Sequence, residues 1–164
     1  MNNKKIAIFS GTFDPITKGH LDILKRGLKI YDKIIISIPN SSNKKTMFSL
    51  DNRIKFIKKT TKGLSNIEIK SFDNLLVDFA KKNNVYSILR GIRDIKDFEY
   101  EQKMDLANKS LFKEIDTLFL FSKPKHIFIS SSLVRELIKF NGKFEHLVSK
   151  KIVKYIKNQK NKEK

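Results

Sequence analysis

The sequence predicts a doubly wound α/β fold: a parallel five-stranded sheet with helices on both faces. Two observations carry the prediction. Short apolar, β-branched runs alternate along the chain with segments of helical periodicity. The run KIIISI at residues 33–38 is apolar and β-branched at consecutive positions, which is typical of a parallel strand covered on both faces. Because hairpins cannot join parallel strands, strict alternation requires right-handed crossovers through the helices.

The five predicted strands are short runs rich in Ile, Val, Leu and Phe. They occupy residues 5–9, 33–38, 66–72, 85–90 and 116–121. In a Rossmann-like sheet of this kind, a ligand lies outside the carboxyl ends of the strands, near the point where the strand order reverses. We therefore expect the polar residues after the first, second, fourth and fifth strands to converge on one cleft.

Helical spacing follows the strands. After the first strand it is carried by Leu21, Leu24, Leu28 and Tyr31. Ser49 is the predicted N-cap of a second helix. Further helices are predicted over 75–82, 97–111 and 131–140, and Gly142 is placed to end the last of them. A C-terminal helical segment is expected from four apolar positions in a Lys-rich stretch, Ile152, Val153, Tyr155 and Ile156.

The composition predicts a single domain over residues 1–159, with 160–164 as a frayed charged tail. The 164 residues include no cysteine, which excludes disulfides, thiolate zinc sites and cysteine nucleophiles and fits a reducing compartment. No apolar run approaches the roughly 20 residues needed to cross a bilayer, and the first residues lack the apolar core of a signal peptide. We expect a cytoplasmic protein without a membrane partner.

A net charge of +18 makes nucleic acid an alternative partner, because a positive field concentrates polyanions. That alternative predicts steeply salt-dependent binding and no ATP turnover. The sequence shows no interleaved aromatic platform or recognisable reader module, and most of its 35 basic residues are lysines scattered along the chain. We therefore expect solvated lysines on helix faces and no nucleic-acid partner.

The first loop, GTFDPITKGH at residues 11–20, has the composition of a phosphate site. Gly11 permits a tight turn and the close approach of a ligand, and Asp14 before a proline makes a rigid corner. Thr17 and His20 then lie at the start of a helix, where unpaired N–H groups and the helix dipole favour an anion. The imidazole would present an N–H to a phosphate oxygen. The alternative is a turn and N-cap with His20 merely packed against the loop.

Two further groups follow later strands. Arg90 and Arg93 flank a flexible Gly91, and two guanidiniums suit a pair of phosphates because their planar forks match phosphate oxygens. The alternative is ion pairing with an acidic neighbour, Asp94, Asp97 or Glu99. Three serines at a helix entrance make a second anion-binding group, Ser130, Ser131 and Ser132. Lys44 and Lys45 after the second strand are a weaker signal.

These groups together describe a site for phosphoryl or nucleotidyl transfer. The sequence has no Walker motif and no G-x-G-x-x-G after the first strand, which disfavours P-loop hydrolysis and dinucleotide binding. No Ser-His-Asp arrangement, metal-ligand cluster or close carboxylate pair is apparent, and no residue is predicted to bind a metal. Catalysis would then depend on positioning and on stabilising the charge that builds on phosphorus.

Three motifs at these spacings, GTFDPITKGH, RGIRD with FEYE, and ISSSLVRE, resemble the bacterial phosphopantetheine adenylyltransferases within the T/H-x-G-H nucleotidylyltransferase superfamily. The likeness runs from about residue 5 to residue 150. It implies adenylyl transfer from ATP to 4′-phosphopantetheine, giving 3′-dephospho-coenzyme A and pyrophosphate in coenzyme A biosynthesis, with Mg²⁺ as cofactor. It also implies a homo-oligomer, since members of the family are typically hexamers.

The resemblance implies a role for each matching residue. His20 would stabilise the transition state at the α-phosphate, and Thr12 would sit between the two substrates. The residues implied to bind ATP are Thr12, Phe13, His20, Gly91, Ile92, Arg93, Glu101, His126, Ile127, Phe128, Ile129, Ser130, Ser131 and Ser132. Those implied to bind 4′-phosphopantetheine are Thr12, Lys44, Leu76 and Arg90. Leu76 and Glu101 come from the resemblance alone.

Some positions depart from the pattern of the family. Ser10 stands where many members carry Pro, and Asn74 replaces an acidic residue. We expect the His126 side chain to serve packing or hydration, and His146 to be structural or at a surface. Two related activities remain as alternatives: adenylyl transfer to nicotinate mononucleotide, and cytidylyl transfer to a small phosphorylated alcohol. They share the first loop and the serine-rich helix start, but RGIRD with FEYE argues against them.

Overall fold

The computed structural model of the chain describes residues 4–40 and 45–160. Its strands are β1 Ile6–Ser10, β2 Lys33–Pro39, β3 Ile67–Phe72, β4 Ser87–Ile92 and β5 Asp116–Phe121. Its α-helices are α1 Lys18–Gly27, α2 Leu50–Thr61, α3 Leu76–Lys82, α4 Ile95–Leu111, α5 Ser131–Lys139 and α6 Lys150–Lys160. A 3₁₀ turn spans Pro124–His126. Within these two ranges, no helix combines the length and the apolar character that crossing a membrane would require.

All five strands are parallel and form one sheet in the order β3-β2-β1-β4-β5. β1 lies in the middle, with Ser10 opposite Ser37 of β2 on one side and Phe9 opposite Leu89 of β4 on the other. The chain winds outward from β1 to β3, crosses the sheet, and winds the other way through β4 and β5. The strand order therefore reverses between β1 and β4, and the predicted doubly wound fold is confirmed.

Helices cover both faces of the sheet. On one face α1, α2, α5 and α6 each contribute to a large core, which includes Leu24, Phe56, Val134 and Ile152. On the other face α3 packs on a smaller core, which includes Phe79, Ala80, Val85 and Ile115. α4 contacts α3, β4 and β5 but has no buried residue. The outer side of α4 is therefore available for contacts beyond the chain itself.

The C-terminal helical segment is present as α6. Its residues Ile152 and Ile156 are fully buried, and Val153 and Tyr155 are partly buried against the same core. Burial of these four side chains stabilises the helix on the domain, since each removes apolar surface from water. Most of the predicted frayed tail, residues 161–164, lies outside the described residues.

Two helix ends differ from the sequence expectation. α1 stops at Gly27 instead of running on to Tyr31, whose hydroxyl lies 2.6 Å from the hydroxyl of Ser87. α5 ends with Asn141 in the left-handed conformation (φ 60°), and Gly142 is the next residue, with its N–H 2.7 Å from the carbonyl of Leu137. This is a Schellman motif in which an asparagine takes the position usually given to glycine.

Candidate active site

A cleft of about 350 Å³ opens at the carboxyl edge of the sheet, where β1 and β4 meet. Its walls come from the segment after β1, the end of β4, the first turns of α4, and the start of α5 with the residues just before it. Among the lining residues are Thr12, Phe13, Thr17, His20, Arg90, Gly91, Arg93, Asp97, Glu101, Ser122, Ile129, Ser130, Ser131 and Ser132. The predicted convergence is confirmed for the segments after the first, fourth and fifth strands. The segment after the second strand, also expected there, contributes no described residue to the lining.

The His20 ring is held by the residue that caps α1. The Nδ1 atom of His20 accepts the backbone N–H of Thr17 at 3.1 Å, and the Thr17 Oγ1 accepts the backbone N–H of His20 at 3.4 Å. The pair forms a capping box. Because Nδ1 accepts an N–H, the proton of the neutral ring is on Nε2. The ring therefore has one N–H left to donate to a ligand.

The surroundings of His20 keep the ring neutral. Burial, and to a smaller extent the positive charge of Arg93, lowers the pKa of His20 from 6.5 to about 4. The ring of Phe13 packs edge-on against it, with the ring centroids 5.1 Å apart. At pH 7 the imidazole is a neutral hydrogen-bond donor, which suits the stabilisation of an oxyanion better than the transfer of a proton.

The start of α1 offers fewer free N–H groups than the sequence suggested. The N–H of Thr17 is bonded to His20, that of Lys18 donates to the carbonyl of Leu147 at 2.9 Å, and that of His20 donates to Thr17. The expectation of unpaired N–H groups is wrong for these three residues, because a capping box and a distant loop satisfy them.

Arg90 lies within β4 and Arg93 directly follows it; both line the cleft, and both are ion-paired. Arg93 donates from Nε and Nη2 to the two carboxylate oxygens of Asp97, at 2.8 and 3.0 Å. The Nε of Arg90 lies 3.2 Å from a carboxylate oxygen of Glu101, and its Nη1 donates to the carbonyl of Ser10 at 2.6 Å. Arg93 therefore both lines the cleft and forms one of the predicted ion pairs, with Asp97. Arg90 is also ion-paired, but its partner Glu101 was not among the acidic residues considered.

Gly91 is not the flexible loop residue that we expected. It lies inside β4, opposite Leu120 of β5, because the pairing of the two strands continues to Ile92. A Cβ on Gly91 would come within 2.8 Å of the Ile23 side chain of α1. The glycine thus allows α1, which carries His20, to pack closely on β4, which carries Arg90.

The three serines each make a different contact. The Ser130 Oγ accepts the N–H of Leu133 at 3.0 Å as the N-cap of α5. The Ser131 Oγ donates to the carbonyl of Pro15 at 2.8 Å, and the Ser132 Oγ accepts from Arg135 at 3.2 Å. The Ser131 contact joins the start of α5 to the first loop, and both line one cleft.

Sequence reasoning missed a buried network behind the first loop. The carboxylate of Asp14, 2% exposed, accepts the N–H groups of Met47 and Phe48 at 2.8 and 2.9 Å. Arg135 donates to the carbonyl of Asp14 at 2.7 Å, and Arg53 donates to the carbonyl of Thr12 at 2.8 Å. The scarcity of arginine was the available signal, since the chain has only five arginines and two of them bond carbonyls of this loop.

Several residues implied by the resemblance do not line the cleft. Ile92 is fully buried. Leu76 begins α3 and is partly buried against the smaller core. His126, Ile127 and Phe128 lie at the 3₁₀ turn and just after it. Lys44 falls outside the described residues. The binding roles of these residues stay predictions.

Comparison with known proteins gives the family. A family model described as cytidylyltransferase-like matches residues 8–137. A phosphopantetheine adenylyltransferase from Nautilia profundicola is 51% identical over 148 residues, covering 90% of this chain and 96% of the relative. Relatives of the same name from Campylobacter hominis and Clostridium botulinum are each 46% identical, covering 93% and 91% of this chain and 96% and 94% of their own length. The chain belongs to the phosphopantetheine adenylyltransferase family.

Members of this family are nucleotidyltransferases, and the motif resemblance is confirmed. Solved structures extend the likeness at the level of the fold. A structure assigned as a nicotinate-nucleotide adenylyltransferase from Vibrio parahaemolyticus has a TM-score of 0.68 and 18% identity, covering 95% of this chain and 100% of that one. A bifunctional NMN adenylyltransferase/ADP-ribose pyrophosphatase from Francisella tularensis has a TM-score of 0.68 and 20% identity, covering 89% and 45%. At such identity the likeness shows the fold alone.

Proposed function

We propose that this phosphopantetheine adenylyltransferase family member transfers the adenylyl group of ATP to 4′-phosphopantetheine, giving 3′-dephospho-coenzyme A and pyrophosphate in coenzyme A biosynthesis. One observation carries the proposal beyond family membership. A single cleft holds a neutral imidazole with one free N–H, two guanidiniums and the start of a helix. These are donors for phosphate oxygens, and among the described lining residues no activated nucleophile accompanies them.

The reaction is a direct in-line displacement. An oxygen of the acceptor phosphate bonds to the α-phosphorus of ATP as the bond from that phosphorus to the bridging oxygen breaks, and pyrophosphate leaves. A phosphomonoester has a second pKa of about 6, so the acceptor is already anionic near pH 7. The attack therefore needs no general base and no covalent enzyme intermediate.

His20 stabilises the transition state in this scheme. Its Nε2–H donates to a non-bridging oxygen on the α-phosphorus, where negative charge accumulates. Thr17 holds the ring through Nδ1, so the donor is oriented before the substrates arrive. A donor fixed in advance costs no reorganisation during the reaction, which is the source of its effect on rate.

The remaining donors divide between the two substrates. Arg93 and the start of α5 bind the β- and γ-phosphates of ATP, and Phe13 and Glu101 face the nucleotide. Arg90 and Thr12 hold the acceptor phosphate together with Lys44, which lies outside the described residues. The support for this division is that Arg90 and Arg93 lie on the same strand end and face one cleft with His20.

Mg²⁺ enters as the complex with ATP. The three cleft carboxylates already accept hydrogen bonds or ion pairs from the protein: Asp14 from backbone N–H groups, Asp97 from Arg93, and Glu101 from Arg90. In residues 4–40 and 45–160, no three His, Asp or Glu side chains are grouped to hold a metal ion. Phosphate oxygens and water would therefore supply most of the ligands that Mg²⁺ prefers.

We also propose a homo-oligomer, a hexamer by the resemblance, in the cytoplasm. Large apolar side chains of α4 are exposed, with Ile95 at 76%, Tyr100 at 61% and Leu106 at 64%. Exposed apolar side chains of this size on one helix are typical of a protein–protein interface. Light scattering should give six times the 19.2 kDa mass of one chain, and a monomer in solution would contradict the proposal.

Pyrophosphate release tests the activity. The purified protein is mixed with ATP, Mg²⁺ and 4′-phosphopantetheine, and pantetheine without its phosphate serves as the matched acceptor control. We expect release with the phosphorylated acceptor only. Release with nicotinate mononucleotide, or with CTP and a phosphorylated alcohol, would replace the proposal with one of the two alternatives. Salt-dependent binding of DNA or RNA without ATP turnover would overturn the enzyme assignment for this chain.

A further inference from the structure

Asp97 is one of three carboxylates in the wall of a cleft whose basic groups suit anions. Its side chain is about one quarter exposed and lines the cleft beside Arg93. A carboxylate in this wall would repel the phosphates of a ligand and weaken their binding, which indicates that Asp97 has another use. The contacts of Asp97 with Arg93 show what that use is.

The two oxygens of Asp97 bind one edge of the Arg93 guanidinium. Nε donates to Oδ2 at 2.8 Å and Nη2 donates to Oδ1 at 3.0 Å, while the backbone N–H of Arg93 also donates to Oδ2 at 3.2 Å. A guanidinium has five N–H donors in a rigid plane. The bidentate pair uses two of them and fixes the plane, which leaves the Nη1 donors and the second Nη2 donor to bind phosphate in one orientation.

A second carboxylate repeats this arrangement one helical turn away. Asp97 and Glu101 are four residues apart on α4, so they share a face of the helix. Arg90 and Arg93 are three residues apart at the end of β4, and each meets one of these carboxylates. With all four groups charged, the quartet has no net charge. The arginines can therefore donate directional hydrogen bonds without building a strongly positive pocket.

We propose that Asp97 is a positioning residue that orients Arg93 for the transition state and limits the affinity of the cleft for pyrophosphate. The proposal rests on the proposed function for its catalytic part. An arginine without its carboxylate would bind polyphosphate more tightly and less specifically, because its full charge would be exposed while its plane could rotate. Asp97 therefore favours correct alignment and release of the leaving group over tight binding.

The test compares Asp97→Asn with Glu99→Gln. Both changes remove one negative charge from α4, but Glu99 is exposed and is not a cleft residue. Titration calorimetry with magnesium pyrophosphate and no other substrate should show about fivefold tighter binding to D97N, the size expected for a partly exposed ion pair. The kcat of D97N should fall about tenfold, because a misoriented donor loses near-attack geometry. E99Q should match the unmodified protein in both measurements.

Asp97→Glu separates charge from geometry. It keeps the charge but displaces the carboxylate by one methylene, so we expect unchanged pyrophosphate affinity with reduced kcat. Thermal unfolding verifies that the variants are folded. If D97N is not folded, the test uses D97E instead. Unchanged or weaker pyrophosphate binding by folded D97N, or a kcat equal to that of the unmodified protein in both Asp97 variants, would overturn the proposal. Because the calorimetry needs no acceptor, its result stands even if the proposed activity is absent.

Discussion

Replacing His20 with alanine separates the two functions that its ring combines. The Nδ1 atom accepts the N–H of Thr17 and so contributes to the start of α1, while Nε2–H is free for a ligand. Alanine removes both. The loss in activity and the loss in stability should differ greatly in size, because the first depends on developing charge and the second on one backbone hydrogen bond.

The expected magnitudes follow from these contacts. Loss of one preorganised donor to a developing oxyanion lowers kcat by about 10² to 10³. Loss of the acceptor leaves the buried Thr17 N–H unpaired and costs about 1–3 kcal/mol of unfolding free energy. For a chain of this size, 1 kcal/mol corresponds to about 2–4 °C in Tm. We therefore expect a folded protein whose Tm is lower by about 2–12 °C and whose turnover is nearly lost.

His20→Gln is the matched control. Glutamine at the third helical position completes a capping box, because its Oε1 accepts the N–H of the N-cap residue. Its amide also keeps an N–H near the position of Nε2. We expect H20Q to recover the Tm of the unmodified protein and to regain part of the lost turnover.

Pyrophosphate release at saturating ATP and 4′-phosphopantetheine measures kcat, and scanning calorimetry measures Tm. Near-normal turnover in H20A would remove His20 from the transition state. A fall in Tm of more than about 12 °C would exceed what one hydrogen bond explains and would mean that the ring is chiefly structural.

The other predictions concern the protonation of His20, the acceptor phosphate and the contact of α1 with β4. Burial lowers the pKa of His20 to about 4 in the folded protein, below the 6.5 of the unfolded chain. The contribution of His20 to stability is therefore complete above pH 6.5 and is lost as the pH falls toward 4. NMR titration of His20 should give a midpoint near pH 4, and a midpoint near pH 6.5 would contradict the buried neutral ring. Arg90→Ala should weaken 4′-phosphopantetheine binding more than ATP binding in calorimetry, and equal effects would refute the division of the two arginines. Gly91→Ala should cost about 1–3 kcal/mol of unfolding free energy, because its Cβ would lie 2.8 Å from Ile23. Denaturation of the double variant with Ile23→Ala should show a smaller loss than the sum of the two single losses, and additive losses would argue against that contact.

Most elements of the fold were predictable because their signals are local. The five strands lie close to their predicted ranges, and Ser49 caps α2 by accepting the N–H of Asn52 at 3.3 Å. The predicted bounds differ from the structure at the ends of strands and helices, because contacts with neighbouring elements determine where each element stops. β4 runs to Ile92 because β5 continues to pair with it, and α1 stops at Gly27, where a Cβ would collide with Leu89.

The candidate site was predictable only in part. Gly, Pro, His and paired Arg in short motifs indicate a phosphate site because their chemistry is unusual for a plain turn. The residues that hold those motifs in place are far away in the chain: Arg53 bonds a carbonyl 41 positions earlier, and Arg135 one 121 positions earlier. No local pattern reports such a contact. The scarcity of arginine was a clue, since Arg26 also bonds a distant carbonyl, that of Phe121 at 2.7 Å.

The sequence by itself determined the alternation of strands and helices, and with it the order of motifs that a doubly wound sheet gathers at one edge. Periodicity and turn chemistry depend on residues that are close together in the sequence, so both can be read from the linear chain. Only the tertiary structure decided which ring nitrogen of His20 is protonated, that its pKa is low, and which carboxylate orients each arginine. These properties depend on burial and on contacts between distant residues, which exist only after the chain has folded.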